Sequence, residues 1–262
     1  MPRPQFARQS IIQHADRYVR AALVGTALLT ASCQSTPQGE KAAISESLQQ
    51  SAIAAENAND FPTAIDQYQK LVRRDPTNTS NLVALARNLR YSGSSVNAVK
   101  ILDKLGPKEN IPTEFQMELA KSLIAAGKAK RAIIYLKTVG KILPENWEVS
   151  STLGIAYDLE EDFDSARKAY EHAAVLSPDN PTILNNMAIS AALSGDIDRA
   201  IAMLKKAPRL VRHSPQIRQN LAFFYGVKGD MKAAKSLARV DLDEEAVQAN
   251  LAIYSRFHKK RF

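Results

Sequence analysis

One residue pattern recurs every 34 positions along most of the chain. With Trp147 counted as position 1, stepping by 34 in both directions divides the sequence into six units without insertions, which begin at Ser45, Thr79, Thr113, Trp147, Pro181 and Pro215. Position 20 is alanine in every unit: Ala64, Ala98, Ala132, Ala166, Ala200 and Ala234. Position 8 is equally small: Ala52, Ala86, Ala120, Gly154, Ala188 and Ala222. Small residues at two fixed places indicate helices that cross with their backbones close together.

Larger residues recur in the same register and predict the core. Position 7 holds Leu85, Leu119, Leu153, Met187 and Leu221, and position 24 holds Tyr68, Leu102, Leu136, Tyr170 and Leu204. Position 15 holds Gly93, Gly127, Gly195 and Gly229, with Asn59 in the first unit. Glycine and asparagine tolerate a left-handed backbone, so this position predicts the turn between two helices. The low aromatic content, 6%, also favours closely packed helices over sheets.

The unit over residues 147–180, with Leu153, Gly154, Tyr157 and Ala166 in register, resembles the tetratricopeptide repeat (TPR). The resemblance implies an all-α fold, a right-handed superhelical solenoid of six helix pairs over residues 45–248. A further helix over residues 243–257 is expected to cap the stack, with Asp243 as its N-cap. Its inner side is expected to hold Val247, Leu251, Tyr254, Ala246, Ile253 and Phe257. Residues 258–262 are expected to form a basic tail. The family holds other polypeptides on its surface, so the resemblance also implies binding rather than chemistry.

The N-terminus has the layout of a bacterial lipoprotein signal. Four arginines within residues 1–20 precede an apolar run over residues 21–30 and then Ala31-Ser32-Cys33. Cys33 is the only cysteine, which favours a thiol consumed by diacylglycerol and acyl modification over one left free in an exported protein. Residues 1–32 are therefore predicted to be a signal peptide, and residues 33–44 a lipidated cysteine followed by an extended tether. An ordinary signal peptide with a chance cysteine is the alternative.

The location follows from a second resemblance. Gln34 follows the cysteine where aspartate would favour retention in the inner membrane, which by similarity to enterobacterial sorting implies a lipid anchor in the outer membrane. The folded part would then lie in the periplasm.

Charge and histidine placement argue against several functions. The net charge is +8, but part of it belongs to the signal, and the remainder is spread thinly apart from Arg256, Lys259, Lys260 and Arg261. A nucleic-acid partner would require a more concentrated basic patch. His172, His213 and His258 are far apart in the array, so neither a zinc site nor a nucleophile with its base can be assembled. We expect no enzyme activity, no cofactor, no metal and no small-molecule substrate.

The candidate binding site is the concave side, which the first helix of each pair lines. Three groups of residues are predicted there: a basic stretch, an apolar floor and a row of amides beside the floor. These are, in that order, Arg87, Arg90 and Lys121; Ile155, Ile189 and Phe223; and Asn185, Gln219 and Asn220. Amides can pair with a peptide backbone while the floor buries its side chains, so a peptide-binding groove is predicted. The alternative is that the amides pack locally and the arginines are only solvated.

The whole chain resembles the TadD-type lipoproteins of the tight-adherence (Flp) pilus machinery. Four features carry this resemblance: the lipoprotein signal that ends at Ala31-Ser32-Cys33, the six repeats, the recurring Asn-Leu-Ala at residues 220–222 and 250–252, and the basic C-terminal residues. It implies an outer-membrane accessory lipoprotein that helps the pilus secretin assemble or localise, with the secretin or another pilus component as partner. Two alternatives stay open: a pilotin-like lipoprotein of type IVa pili, and a periplasmic scaffold for envelope or cell-wall assembly enzymes.

Overall fold

The computed structural model describes residues 37–104 and 112–261. The predicted signal peptide and Cys33 therefore lie outside the described residues. The described part contains fourteen helices and no strand. The helices are α1 Pro37–Asn57, α2 Phe61–Arg74, α3 Thr79–Tyr91, α4 Ser95–Asp103, α5 Thr113–Ala125, α6 Ala129–Ile142, α7 Trp147–Leu159, α8 Phe163–Leu176, α9 Pro181–Leu193, α10 Ile197–Lys205, α11 Pro208–His213, α12 Pro215–Lys228, α13 Met231–Ala238 and α14 Glu244–Arg261.

The chain divides into two compact units between Ser47 and Leu48. The described residues of the first unit, 37–47, are helical throughout and mostly exposed. The prediction of an extended tether over residues 33–44 is therefore wrong for residues 37–44, and the first helix begins at Pro37 rather than at Ser45. Proline is tolerated in the first turn of a helix, and the Glu40-Lys41-Ala42-Ala43 stretch that follows has high helix propensity.

The second unit is a series of helix pairs packed in chain order. Within it, α3 packs on α4, α5 on α6, α7 on α8, α9 on α10 and α12 on α13, and each pair also contacts the next. The first helices of these five pairs begin at Thr79, Thr113, Trp147, Pro181 and Pro215, at intervals of 34 residues. The predicted all-α fold of consecutive TPR-type helix pairs is confirmed.

Side-chain caps fix where the helices start. Asn78, Asn146 and Asn180 accept hydrogen bonds from backbone N–H groups at the starts of α3, α7 and α9. Asp60, Asp162, Asp196 and Asp230 do the same for α2, α8, α10 and α13. The turn before the second helix of every unit holds a left-handed residue, which is glycine in four units and Asn59 in the first. In the fourth unit Glu161 takes that conformation, with φ of 58°.

The recurring small residues lie where the helices of a pair cross. All six position-20 alanines are 0% exposed: Ala64, Ala98, Ala132, Ala166, Ala200 and Ala234. Gly154 is the one glycine at position 8, and a Cβ there would lie 2.6 Å from Cε1 of the Tyr170 ring. The Tyr170 ring therefore occupies the space that a Cβ at position 154 would need.

The C-terminal part departs from the expected regularity. The second helix of the fifth pair ends at Lys205, and a short helix, α11, begins at Pro208. Pro208 cannot donate to the preceding turn and its ring would collide with it, so the helix cannot continue unbroken. The basic tail expected at residues 258–262 is not separate either, since α14 runs to Arg261; Phe262 lies outside the described residues.

The capping helix packs on one stripe only. The side-chain oxygen Oδ1 of Asp243 accepts a hydrogen bond from the Ala246 N–H at 2.8 Å, as an N-cap does. Val247 and Tyr254 are buried against α12 and α13. The predicted inner-side placement is therefore confirmed for Val247 and Tyr254 and wrong for Ile253, which is 45% exposed, whereas Phe257 is 50% exposed but contacts Phe223 of α12.

Candidate peptide-binding groove

The predicted basic stretch is charge-paired. Arg87 Nη2 lies 3.2 Å from Glu114 Oε1, and Lys121 Nζ lies 2.6 Å from Glu148 Oε1. Arg90 donates to both carboxylate oxygens of Glu118, at 2.8 and 3.2 Å. Each cation thus meets a carboxylate on the first helix of the next unit, and the prediction of a basic surface is wrong. Glu114 and Glu148 both stand at position 2 of their units, a sequence signal that would have revealed this pairing.

The predicted amides are mostly engaged in internal hydrogen bonds. Asn185 is 5% exposed, and its Oδ1 accepts from Asn220 Nδ2 at 2.7 Å. Asn186 Nδ2 donates to Ser151 Oγ at 3.2 Å, which links the preceding pair of first helices in the same way. Gln219 Nε2 donates to Asp241 Oδ2 at 2.7 Å. Asn185 and Gln219 therefore hold neighbouring helices together, and the prediction that they line a groove is wrong.

Three predicted residues, Ile189, Asn220 and Phe223, come together in an apolar groove of about 570 Å³ between α9, α12 and the end of α14. We call it the C-terminal groove. It is lined by Ile189, Ala192, Leu193, Gly195, Ile197, Asn220, Phe223, Phe224, Val227 and Phe257. Ile155, the remaining residue of the predicted floor, is half-buried on α7 and is not among these lining residues.

Phe223 is the centre of an aromatic cluster in this groove. Its ring centroid lies 5.4 Å from that of Tyr254 and 5.6 Å from that of Phe257, both in edge-to-face contact. Phe224 is 6.0 Å away. Edge-to-face rings stabilise one another, so these side chains form one aromatic wall of the groove. At its rim, Leu193 and Phe257 are 58% and 50% exposed, which leaves large apolar side chains available to a partner.

The sequence prediction missed Leu193, Val227 and Phe257. The first two stand one turn after Ile189 and Phe223, at position 13 of their units, and so extend the same helix face. Phe257 comes from a helix outside the repeats. The i, i+4 spacing from Ile189 to Leu193 and from Phe223 to Val227 was the available signal.

The buried carboxylate of Asp158 links three consecutive helices, α7, α8 and α9. Asp158, on α7, is 8% exposed and accepts hydrogen bonds from Tyr170 Oη at 2.8 Å and Ser190 Oγ at 2.6 Å. Burial raises the pKa of the Asp158 carboxyl. The first unit repeats the arrangement, since Tyr68 and Asn88 both donate to Glu56. Glu56 and Asp158 both stand at position 12, so the motif is a structural link between consecutive units.

Asp158→Asn is expected to remove a pH-dependent loss of stability. Because the pKa of Asp158 is raised in the folded state, the unfolded chain ionises first as pH rises from about 4, and the wild-type protein loses free energy of unfolding over that range. Asparagine keeps the hydrogen-bonding shape and does not ionise. In urea unfolding at a series of pH values, the free energy of unfolding of the variant should increase relative to that of the wild type as pH rises. A difference in free energy of unfolding that does not vary with pH would contradict this prediction. So would the same pH dependence in the exposed control Asp164→Asn.

The described residues contain no group of three or more His, Cys, Asp or Glu placed to hold a metal ion. His172 Nδ1 lies 2.9 Å from Ser150 Oγ at an exposed position, and His258 Nδ1 lies 3.1 Å from the Val227 carbonyl oxygen. Neither histidine is among the lining residues of the C-terminal groove. Over the ranges 37–104 and 112–261, no helix combines the length and the apolar character needed to cross a membrane.

Comparisons with known proteins agree with this architecture. Two family models described as tetratricopeptide repeat match residues 159–222 and 46–78. The solved structure of TTC0263, a thermophilic TPR protein of Thermus thermophilus, is 19% identical with a TM-score of 0.59, covering 69% of this chain and 98% of its own. MamA (residue 41 to the end) from Desulfovibrio magneticus RS-1 is 18% identical with a TM-score of 0.55, covering 65% and 97%. A search of curated proteins gave no match. The repeats indicate a scaffold for protein–protein interaction.

Proposed function

We propose that the chain is a non-enzymatic scaffold that binds an apolar segment of a partner protein in the C-terminal groove. The observation that carries the proposal is the aromatic cluster of Phe223, Tyr254 and Phe257, in which Phe257 is half-exposed and near which Leu193 is exposed. The upstream part of the first-helix surface offers paired charges instead. A partner therefore gains the most binding free energy by burying apolar side chains at the fifth and sixth units.

The groove has room for several side chains. A cavity of about 150 Å³ lined by apolar residues admits a benzene ring, whereas the groove measures about 570 Å³. Two or three large side chains of a partner segment would fit. Apolar anchors in a preformed pocket contribute most of the affinity of such interfaces, which matches a scaffold that holds its partner without chemistry.

We further propose that this scaffold is anchored in the bacterial outer membrane through lipidated Cys33, with its folded part in the periplasm. There it would assist assembly of a Flp-type pilus secretin in the manner of a pilotin. The support is the lipoprotein-like N-terminus and the resemblance to TadD-type lipoproteins along the chain. The secretin or another assembly component would supply the apolar segment.

The double substitution Ile189→Asp with Phe223→Asp should weaken partner binding at least about tenfold, because two carboxylates would have to be desolvated against the partner's apolar side chains. The measurements are secretin multimers in the outer membrane and co-purification of secretin with the chain, in cells that carry this variant, a deletion or the wild-type gene. The matched control is Arg87→Ala with Lys121→Ala, which removes two exposed ion pairs and should leave both readouts unchanged.

Secretin multimers that are unchanged on deletion would remove the pilotin-like role. If murein synthases or other envelope-assembly factors co-purify in a Phe223-dependent way instead, the envelope scaffold is the correct assignment. Equal binding by the double variant, with its helical circular dichroism intact, would remove the groove itself.

A further inference from the structure

The end of α14 places unpaired positive charge beside the C-terminal groove. Phe257 lines the groove, and Arg256 and Lys259, its near neighbours in sequence, are both exposed. No carboxylate pairs with either cation among the residues that the structure describes. Lys260 and Arg261 follow in the same helix, so four of its last six residues are basic.

The carboxylates beside the groove are engaged elsewhere, since Asp196 and Asp230 accept hydrogen bonds from the backbone N–H groups of Arg199 and Ala233 at the starts of α10 and α13. Lys228, next to Val227 on α12, is already paired with Asp198. The acidic residues of α14 lie at its opposite end, where Glu244 pairs with Lys235 at 2.9 Å and Arg239 at 2.7 Å. Thirteen residues separate Glu244 from Phe257, which is roughly 20 Å along a helix and beyond the screening distance at physiological salt. The Phe257 end of the groove therefore carries exposed cations that no described carboxylate pairs with.

We infer that the occupant of the C-terminal groove is an acidic, apolar peptide segment. It would insert two or three large apolar side chains between α9 and α12, and its carboxylates would meet the last turns of α14. This inference rests on the proposed function and adds the chemistry of the partner and its orientation. Complementary charge at the rim of an apolar site selects among partners and fixes their register more than it adds affinity.

The shape of the groove favours a peptide over an anionic membrane surface. Its floor includes Phe224 and Val227, which are 2% and 7% exposed. Helices α9, α12 and α14 surround these residues, so a flat bilayer would reach the rim but not the floor. A narrow chain with protruding side chains can reach both.

The test uses the full chain carrying Cys33→Ser, so that no acyl group contributes to binding, and a displayed library of random twelve-residue peptides as the probe. Selections run in parallel on this protein, on Phe223→Asp, on Arg256→Glu with Lys259→Glu, and on a control that reverses two exposed cations elsewhere, Lys100→Glu with Lys141→Glu. Peptides enriched on the parent protein and on the control should share large apolar residues with Asp or Glu to one side. The Arg256→Glu, Lys259→Glu protein should select Lys or Arg there instead.

An enriched peptide, once synthesised, should bind the Arg256→Glu, Lys259→Glu protein about three- to tenfold more weakly at low salt, with the difference closing at about 0.5 M NaCl. Apolar peptides without any charge preference would overturn the inference and leave the proposed function standing. No enrichment above the Phe223→Asp protein would overturn both. Binding to phosphatidylglycerol vesicles that depends on Arg256 and Lys259, without acidic peptides being selected, would assign the basic turn to the membrane and also overturn the inference.

Discussion

Glu118→Ala is expected to lower the free energy of unfolding by about 2–4 kcal/mol, because it leaves the partly buried guanidinium of Arg90 without its carboxylate partner. The side chains of Arg90 and Glu118 are 16% and 5% exposed, and Arg90 donates twice to the carboxylate. Ser122 Oγ donates to the same carboxylate at 3.3 Å, so its hydroxyl would lose its acceptor as well. Denaturant unfolding followed by circular dichroism measures the change.

A matched pair on the same two helices supplies the control. Arg87 and Glu114 also join α3 to α5, but their side chains are 36% and 68% exposed. Glu114→Ala should therefore cost less than about 0.5 kcal/mol. The double variant Arg90→Met with Glu118→Leu should recover most of the loss, because the stranded charge is gone. Equal effects of Glu118→Ala and Glu114→Ala would contradict the assigned burial.

Gly226→Ala should lower the free energy of unfolding by about 1–3 kcal/mol, although alanine is ordinarily the better helix former. Gly226 lies within α12, and a Cβ there would be 2.6 Å from the Cβ of Tyr254 on α14. That atom is fixed to the backbone of α14, so the helix must move as a body. Movement of α14 would also separate Tyr254 and Phe257 from Phe223 and open the groove.

Gly140→Ala is the matched control, since Gly140 is also a glycine inside a helix. A Cβ there would meet Val149 Cγ1 at 3.7 Å, an ordinary contact. This substitution should therefore be neutral or should stabilise the protein by about 0.5–1 kcal/mol. Destabilisation by both alanines to the same extent would contradict the close approach of α14.

The repeat pattern predicts the fold well because helix crossings impose residue size at fixed intervals. Ala64 and its five counterparts are fully buried, and a larger side chain there would push the packed helices apart. Such constraints are local to one unit and repeat with it. They can be read from one sequence without knowledge of more distant contacts.

The groove was only partly predictable because side-chain partners lie between units. The repeat pattern predicts that Arg87 and Asn185 face the concave side. In the structure, Glu114 of the next unit pairs with Arg87, and Asn185 is buried in a hydrogen bond with Asn220. Phe257 joins the groove from a helix that follows the array. Local spacing specifies which helix face a residue occupies, but not whether a neighbouring unit already uses it.

Site-specific photo-crosslinking in the native cell tests whether a partner protein occupies the C-terminal groove. A benzoylphenylalanine residue would replace Leu193, at the groove rim, or Val175, which is 77% exposed and is not a lining residue of the C-terminal groove. We expect a partner adduct from position 193 that disappears when Phe223→Asp is added, and none of comparable strength from position 175. Equal adducts from both positions, or an adduct at 193 that survives Phe223→Asp, would contradict this expectation.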